Sequence, residues 1–96
     1  MHYILFYDFI DDFLEKRTQF RGAHLEHIRK AFGRGELVLA GALADPSDRG
    51  VLVFRGTTTG AAEEFAKTDP YVIGGLVISW QVRRWMTVVG EGSTPP

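Results

Sequence analysis

Apolar residues along the chain fall into short runs that predict strands and spaced stripes that predict helices. Tyr3-Ile4-Leu5-Phe6-Tyr7 is β-branched and aromatic and reads as a first strand. It ends at Asp8-Phe9-Ile10-Asp11-Asp12, whose short acidic side chains favour a turn and a helix start. A helix is predicted from Phe13 to Phe32, because Phe20, His24, Ile28 and Ala31/Phe32 recur on one face at the helical period. Asp11, Asp12 and Glu15 at its start and Arg29, Lys30 and Arg34 at its end suit the helix dipole, and Gly33 or Gly35 can close it in the left-handed conformation. Leu37 to Leu43 is a second strand. After the turn residues Asp45-Pro46-Ser47-Asp48, the segment Gly50 to Arg55 returns as its hairpin partner. Thr57-Thr58-Thr59-Gly60 offers caps for a helix from Ala61 to Thr68, ended by Pro70. The last strand is predicted from Leu76 to Val89, with Leu76, Ile78, Trp80, Val82, Met86 and Val88 on its apolar side.

The order β-α-β-β-α-β predicts an α+β fold, the ferredoxin-like sandwich with a four-stranded antiparallel sheet and both helices on one face. A sheet with its other face in water should alternate cleanly. The first three strands are instead apolar at both parities, so the second face needs a cover. The economical cover is another copy of the chain, which makes a homodimer with sheet stacked on sheet the expected state. Residues 1–90 form the single domain of this reading. Gly90-Glu91-Gly92-Ser93-Thr94-Pro95-Pro96 carries nothing to pack, so 91–96 is expected to be a flexible tail.

Composition narrows the function classes. The chain has 96 residues, of which 45% are hydrophobic, and a formal net charge of −1. That charge does not suit a protein holding phosphate backbones by bulk attraction. The same strand order occurs in RNA-recognition motifs, whose third strand carries base-stacking aromatics. Here Arg49-Gly50 is followed by Val51, Leu52 and Val53, so no stacking platform forms and nucleic acid is not an expected partner. No apolar run reaches the roughly 20 residues of a membrane span, and no signal peptide is visible, so no membrane partner is expected. With no cysteine there is neither disulfide nor thiolate chemistry, and the expected location is cytoplasmic.

Two residues stand out together, although each alone has a structural reading: His24 as a core histidine bonded to a backbone carbonyl, and Asp69 before Pro70 as an ordinary turn former. His24 sits on the apolar stripe of the first helix, where a histidine is costly unless its ring nitrogens find partners. Arg21 and Arg17 lie one and two turns before it and could rim a pocket for an anionic ligand. Asp69 falls at the C-terminal end of the second helix, where the dipole disfavours a negative charge. The topology lets that end approach the middle of the first helix. An aspartate bonded to one imidazole nitrogen would fix the tautomer and make the other nitrogen a general base. His24-x-x-His27 has one-turn spacing, but a third metal ligand would have to be His2 or a carboxylate. No metal site is expected and no cofactor is required.

These residues also carry a resemblance. Arg21-Gly22-Ala23-His24-Leu25, Gly35 before a strand holding Ala40-Gly41, Thr68-Asp69-Pro70-Tyr71 with Gly74-Gly75, and Trp80-Gln81-Val82-Arg83-Arg84-Trp85 before Val88-Val89-Gly90 together resemble the YciI-like family. The resemblance spans nearly the whole chain apart from the tail. It implies a ferredoxin-like domain that dimerises as an α/β barrel, with an active-site pair carried here by His24 and Asp69. One branch of that family is associated with dehydrochlorination of a hydroxylated chloroaromatic. Ala42 departs from the pattern, since many relatives have Pro after the glycine. The expected function is acid–base chemistry on a small, anionic organic molecule: proton transfer, isomerisation or elimination. His24 would be the acid/base and Asp69 its orienter, with Arg21, Tyr71 and Gly41 around the substrate. The alternative is a non-catalytic ligand-binding or accessory module.

Overall fold

The computed structural model describes residues 1–93; of the tail expected at 91–96, the last three residues lie outside the described ones. Strand β1 (His2–Phe9) is followed by the short helix α1 (Phe13–Lys16), a 3-10 turn (Arg17–Gln19) and helix α2 (Arg21–Gly33). The hairpin β2 (Leu37–Ala42) and β3 (Arg49–Arg55) comes next. Helices α3 (Gly60–Thr68) and α4 (Pro70–Ile73) and strand β4 (Val77–Trp85) complete the fold. The sheet order is β2-β3-β1-β4 and every neighbouring pair is antiparallel, the ferredoxin-like arrangement.

Side-chain alternation on β1 sets the core. Tyr3, Leu5, Tyr7 and Phe9 are buried beneath the helices, and their cross-strand partners Phe54, Leu52 and Gly50 are buried with them. Phe65, Ala62 and Ala66 of α3 and Ala31 of α2 close the layer from above. Gly50 is held to glycine by contact rather than by backbone conformation. A Cβ there would stand 2.8 Å from the Phe9 ring and 3.3 Å from Cβ of Tyr7.

Three sequence expectations are corrected. The helix expected over Phe13–Phe32 is broken at Arg17–Gln19, with Arg17 over the Phe13 ring (5.6 Å) and Phe20 packed against Gly74. Its buried face is His24 and Ala31, whereas Phe32 is 63% exposed. The last strand stops at Trp85 rather than Val89. It is an edge strand paired with β1 alone, and β1 begins at His2, opposite Trp85. A bulge opposite Asp8/Phe9 also resets its alternation: Val77, not Ile78, pairs with Phe9, and Ile78 is left 69% exposed. A comparable register shift between Leu37 and Leu39 in β2 turns Leu39 outward, 70% exposed. The outer face presents Leu39, Val51, Val53, Phe6 and Ile4 on β2, β3 and β1, with Gln81 and Arg83 beside them on β4 and Ile78 at its bulge.

Candidate active site

The junction of α3 and α4 builds the site. Asp69 is extended (φ −70°, ψ 126°) between two helical segments, and Pro70 stands in the first turn of α4. Proline is favoured at that position because its missing N–H has no helical partner there, so Pro70 opens a helix as well as ending one. Asp69 is the N-cap of α4 and accepts the Tyr71 backbone N–H at 3.0 Å. The unfavourable dipole inferred for Asp69 from the sequence is thus offset by the helix that follows.

Asp69 is completely buried, and both carboxylate oxygens are occupied. Nδ1 of His24 lies 2.7 Å from Oδ1, and the Tyr7 hydroxyl donates to Oδ2 at 2.7 Å. A carboxylate only accepts, so Nδ1 of His24 carries the proton and Nε2 is left unprotonated in the neutral ring. The two expected residues are brought into direct contact from α2 and from the α3–α4 junction, 45 positions apart in sequence. Burial, then the charge of Asp69 and the hydrogen bond to it, push the Tyr7 hydroxyl far above its ordinary range. Tyr7 therefore stays a donor throughout the neutral range.

The imidazole lies flat on Tyr71, with ring centroids 3.6 Å apart and planes 7° from parallel. Tyr71 meets Phe13 edge-on at 5.5 Å, and Phe13 stacks on Phe9 at 3.7 Å. Such pairs are worth about 0.5–1.5 kcal/mol each beyond their burial, so this row of rings holds His24 in place. Burial raises the Tyr71 hydroxyl, while the charges of Arg21 and Arg17 and a hydrogen bond to Arg21 pull it back down.

Beside the rings is a cavity of about 200 Å³. His24, Tyr71, Arg21 and Arg17 line it, together with Phe9, Phe13, Leu25, Ile28 and Leu52, and Ala40 to Ala42 close one side. Among the described residues its lining holds two guanidinium groups and no carboxylate, because Asp69 sits behind His24. Gly41 contributes to that wall, although a Cβ there would meet nothing within 4 Å. His27, by contrast, donates from Nε2 to the Phe65 carbonyl oxygen at 3.0 Å. Among the described residues no three His, Cys, Asp or Glu side chains are grouped to hold a metal ion. Also among the described residues, no helix is long and apolar enough to cross a membrane.

Sequence reasoning missed Tyr7, Phe9 and Phe13. The available signal for Tyr7 was its parity: it shares the inward side of β1 with Leu5, and a buried tyrosine needs a partner for its hydroxyl.

Residues 1–86 match the YCII-related domain. The chain belongs to this family. It is 34% identical over 85 residues to protein YciI of Escherichia coli, covering 79% of this chain and 87% of that relative; the Shigella flexneri protein of the same name matches equally. Among solved structures, it is similar to a 5-chloro-2-hydroxyhydroquinone dehydrochlorinase from Burkholderia phenoliruptrix in complex with 2,5-dihydroxybenzoquinone. The TM-score is 0.73, with 17% identity over 88% of this chain and 93% of that one. A protein of Agrobacterium tumefaciens aligns with a TM-score of 0.53, 16% identity and 86% and 89% coverage. At these identities the likeness is one of fold. The YciI-like domain thus shares its ferredoxin-like frame with a dehydrochlorinase.

Proposed function

We propose that this YciI-like chain is a cytoplasmic acid–base enzyme acting on a small anionic molecule. The observation that carries the reading is the His24–Asp69 contact at 2.7 Å, made by a histidine that itself lines a cavity together with Arg17 and Arg21. Nε2 takes a proton from the substrate as a base, and the imidazolium that forms is stabilised by the buried carboxylate. The electron pair left behind then expels a leaving group, which is elimination. Alternatively it rearranges and recovers the proton at another atom, which is isomerisation. The two guanidinium groups bind the substrate's negative charge and stabilise charge that develops in the transition state. The aromatic and aliphatic wall accepts its apolar body.

The fold-level neighbour supplies a first probe, since its ligand, 2,5-dihydroxybenzoquinone, is a flat molecule with ionisable hydroxyls. The test is turnover of 5-chloro-2-hydroxyhydroquinone and related ionisable ring compounds, read as chloride release or spectral change. His24→Ala should cost about 10²–10⁴-fold, the usual worth of general acid–base catalysis. Turnover that survives both His24→Ala and Asp69→Asn overturns the reading. Binding without turnover by the native chain favours the ligand-binding module instead.

The same proposal includes a homodimer. Leu39 stands 70% exposed on the outer sheet face, in an apolar strip with Val53, Val51, Ile4 and Phe6, and Ile78 stands 69% exposed at the β4 bulge, a surface that a second sheet would cover. Light scattering at micromolar concentration should give twice the mass of one chain, and the mass of a single chain refutes it.

A further inference from the structure

Tyr7 has no part in the chemistry just described, yet its hydroxyl is committed to the residue behind the proposed base. The two oxygens of Asp69 are held unequally. Oδ1 receives His24 Nδ1–H and the Tyr71 N–H, at 2.7 and 3.0 Å; Oδ2 receives Tyr7 at 2.7 Å. The terminal torsion of an aspartate is intrinsically broad, so its own rotamer does not fix the carboxylate plane. Bonds at both oxygens do. Tyr7 is itself enclosed in the core. It is 1% exposed in a central strand, and its ring packs against Phe9 at 6.2 Å. Removal of its hydroxyl would leave a buried anionic oxygen without that donor and concentrate the charge on the side facing His24.

We propose that Tyr7 is the positioning residue of the His24–Asp69 pair: through Asp69, its hydroxyl sets the orientation and strength of the hydrogen bond that holds the proton on Nδ1 of His24. The proposal rests on the acid–base reading and deepens it, giving the pair a third member on β1. The remaining charged or titratable groups at this point are Tyr71 and the guanidinium groups of Arg17 and Arg21 that act on it.

The alternative role for Tyr7 is core filling with a satisfied hydroxyl, and the experiment separates the two without a substrate. The ring resonances of His24 are followed by NMR in the full ¹⁵N-labelled chain. The native protein shows the Nδ1–H tautomer. In Tyr7→Phe the Nδ1 proton moves downfield, because Asp69 no longer shares its charge with a phenol. In Tyr7→3-fluorotyrosine, which keeps the shape and strengthens the donor, it moves upfield. Should Tyr7→Phe fail to fold, the fluorinated variant decides alone. An Nδ1 proton that stays put in the fluorinated variant, while it responds to Asp69→Asn, overturns the role of Tyr7 and leaves the pair standing. A native Nε2–H tautomer, or ring signals indifferent to Asp69→Asn, overturns the pair itself.

Discussion

Alkaline unfolding tests the buried Tyr7–Asp69 contact quantitatively. In the folded chain Tyr7 is held protonated by burial, by the charge of Asp69 and by the hydrogen bond to it. In the unfolded chain the same phenol ionises near its ordinary value of about 10. A group whose folded value is raised contributes stability that is fully present below the unfolded value and is lost as pH rises past it. Above pH ~10 the unfolded state has one proton fewer than the native state, so stability falls by about 1.4 kcal/mol per pH unit from this residue alone. The accumulated loss is about 1.4 kcal/mol at pH 11 and about 2 kcal/mol at pH 11.5, large against the roughly 5–15 kcal/mol that holds such a domain together. Tyr71 is raised in the same direction and adds to the native slope, but it is common to the native chain and Tyr7→Phe and cancels in the difference. The assay is urea denaturation at fixed pH between 8 and 11.5, with tyrosinate absorbance recorded beside it. The native slope should be steeper than that of Tyr7→Phe by one proton, and the Tyr7 phenolate should appear only with unfolding. Coincident slopes, or a Tyr7 phenolate formed in the folded chain, refute the placement of this proton.

Other substitutions separate packing from binding. Gly50→Ala drives a methyl group to 2.8 Å from the Phe9 ring, itself stacked on Phe13, and should cost about 1–3 kcal/mol in chemical denaturation. Asp69→Ala strands the Tyr7 hydroxyl and His24 Nδ1–H inside the core, each at about 1–3 kcal/mol, and should cost about 2–6 kcal/mol by the same measurement, beyond Asp69→Asn. If this chain takes 2,5-dihydroxybenzoquinone, as the proposed function implies, Arg21→Ala should weaken that binding by about tenfold to a hundredfold in calorimetry, the worth of one charge-assisted hydrogen bond. Added salt should weaken the native complex more than the variant complex.

The strands were legible because their apolar runs are dense and their turns explicit, and the order of elements then left few topologies. The break in the first helix was not, because Phe13, Arg17, Phe20 and His24 keep a helical spacing straight through it. Nothing in the pattern marks Arg17–Gln19 as a 3-10 turn; in the structure Phe13 before it meets Tyr71 and Phe20 after it packs at Gly74, just past α4. His24 and Asp69 stood out because each is a polar residue where burial or a dipole opposes it, and such misfits concentrate at functional sites. The reason Asp69 is tolerated was hidden, since a proline reads as a stop and here it also opens α4. Tyr7 and Tyr3 are indistinguishable in the sequence, two residues of one parity in one strand. Only the packed structure gives Tyr7 a carboxylate and turns the Tyr3 hydroxyl toward Met1 Sδ at 3.4 Å.

The two faces of β2 connect the proposed dimer to the proposed site. Ala40 pairs with Leu52 on the helix-covered side and lines the cavity, whereas Gly41 pairs with Val51, whose parity places it on the outer face with Leu39. Within one chain a methyl group at Gly41 meets nothing within 4 Å, and Gly41 has no positive φ that would demand glycine. Gly41→Ala should therefore leave the thermal stability of an isolated chain within about 0.5 kcal/mol. If a second sheet packs on this face, the same methyl lands in a close-packed interface and raises the dimer dissociation constant, read by sedimentation across a dilution series. Association unchanged by Gly41→Ala, with the native chain dimeric, would mean that the partner docks elsewhere and leaves the outer side of the cavity wall uncovered. Weakened association with intact folding would make Gly41 a contact between copies, and would mean that whatever presses on Gly41 from outside also bears on the strand that closes the cavity from within.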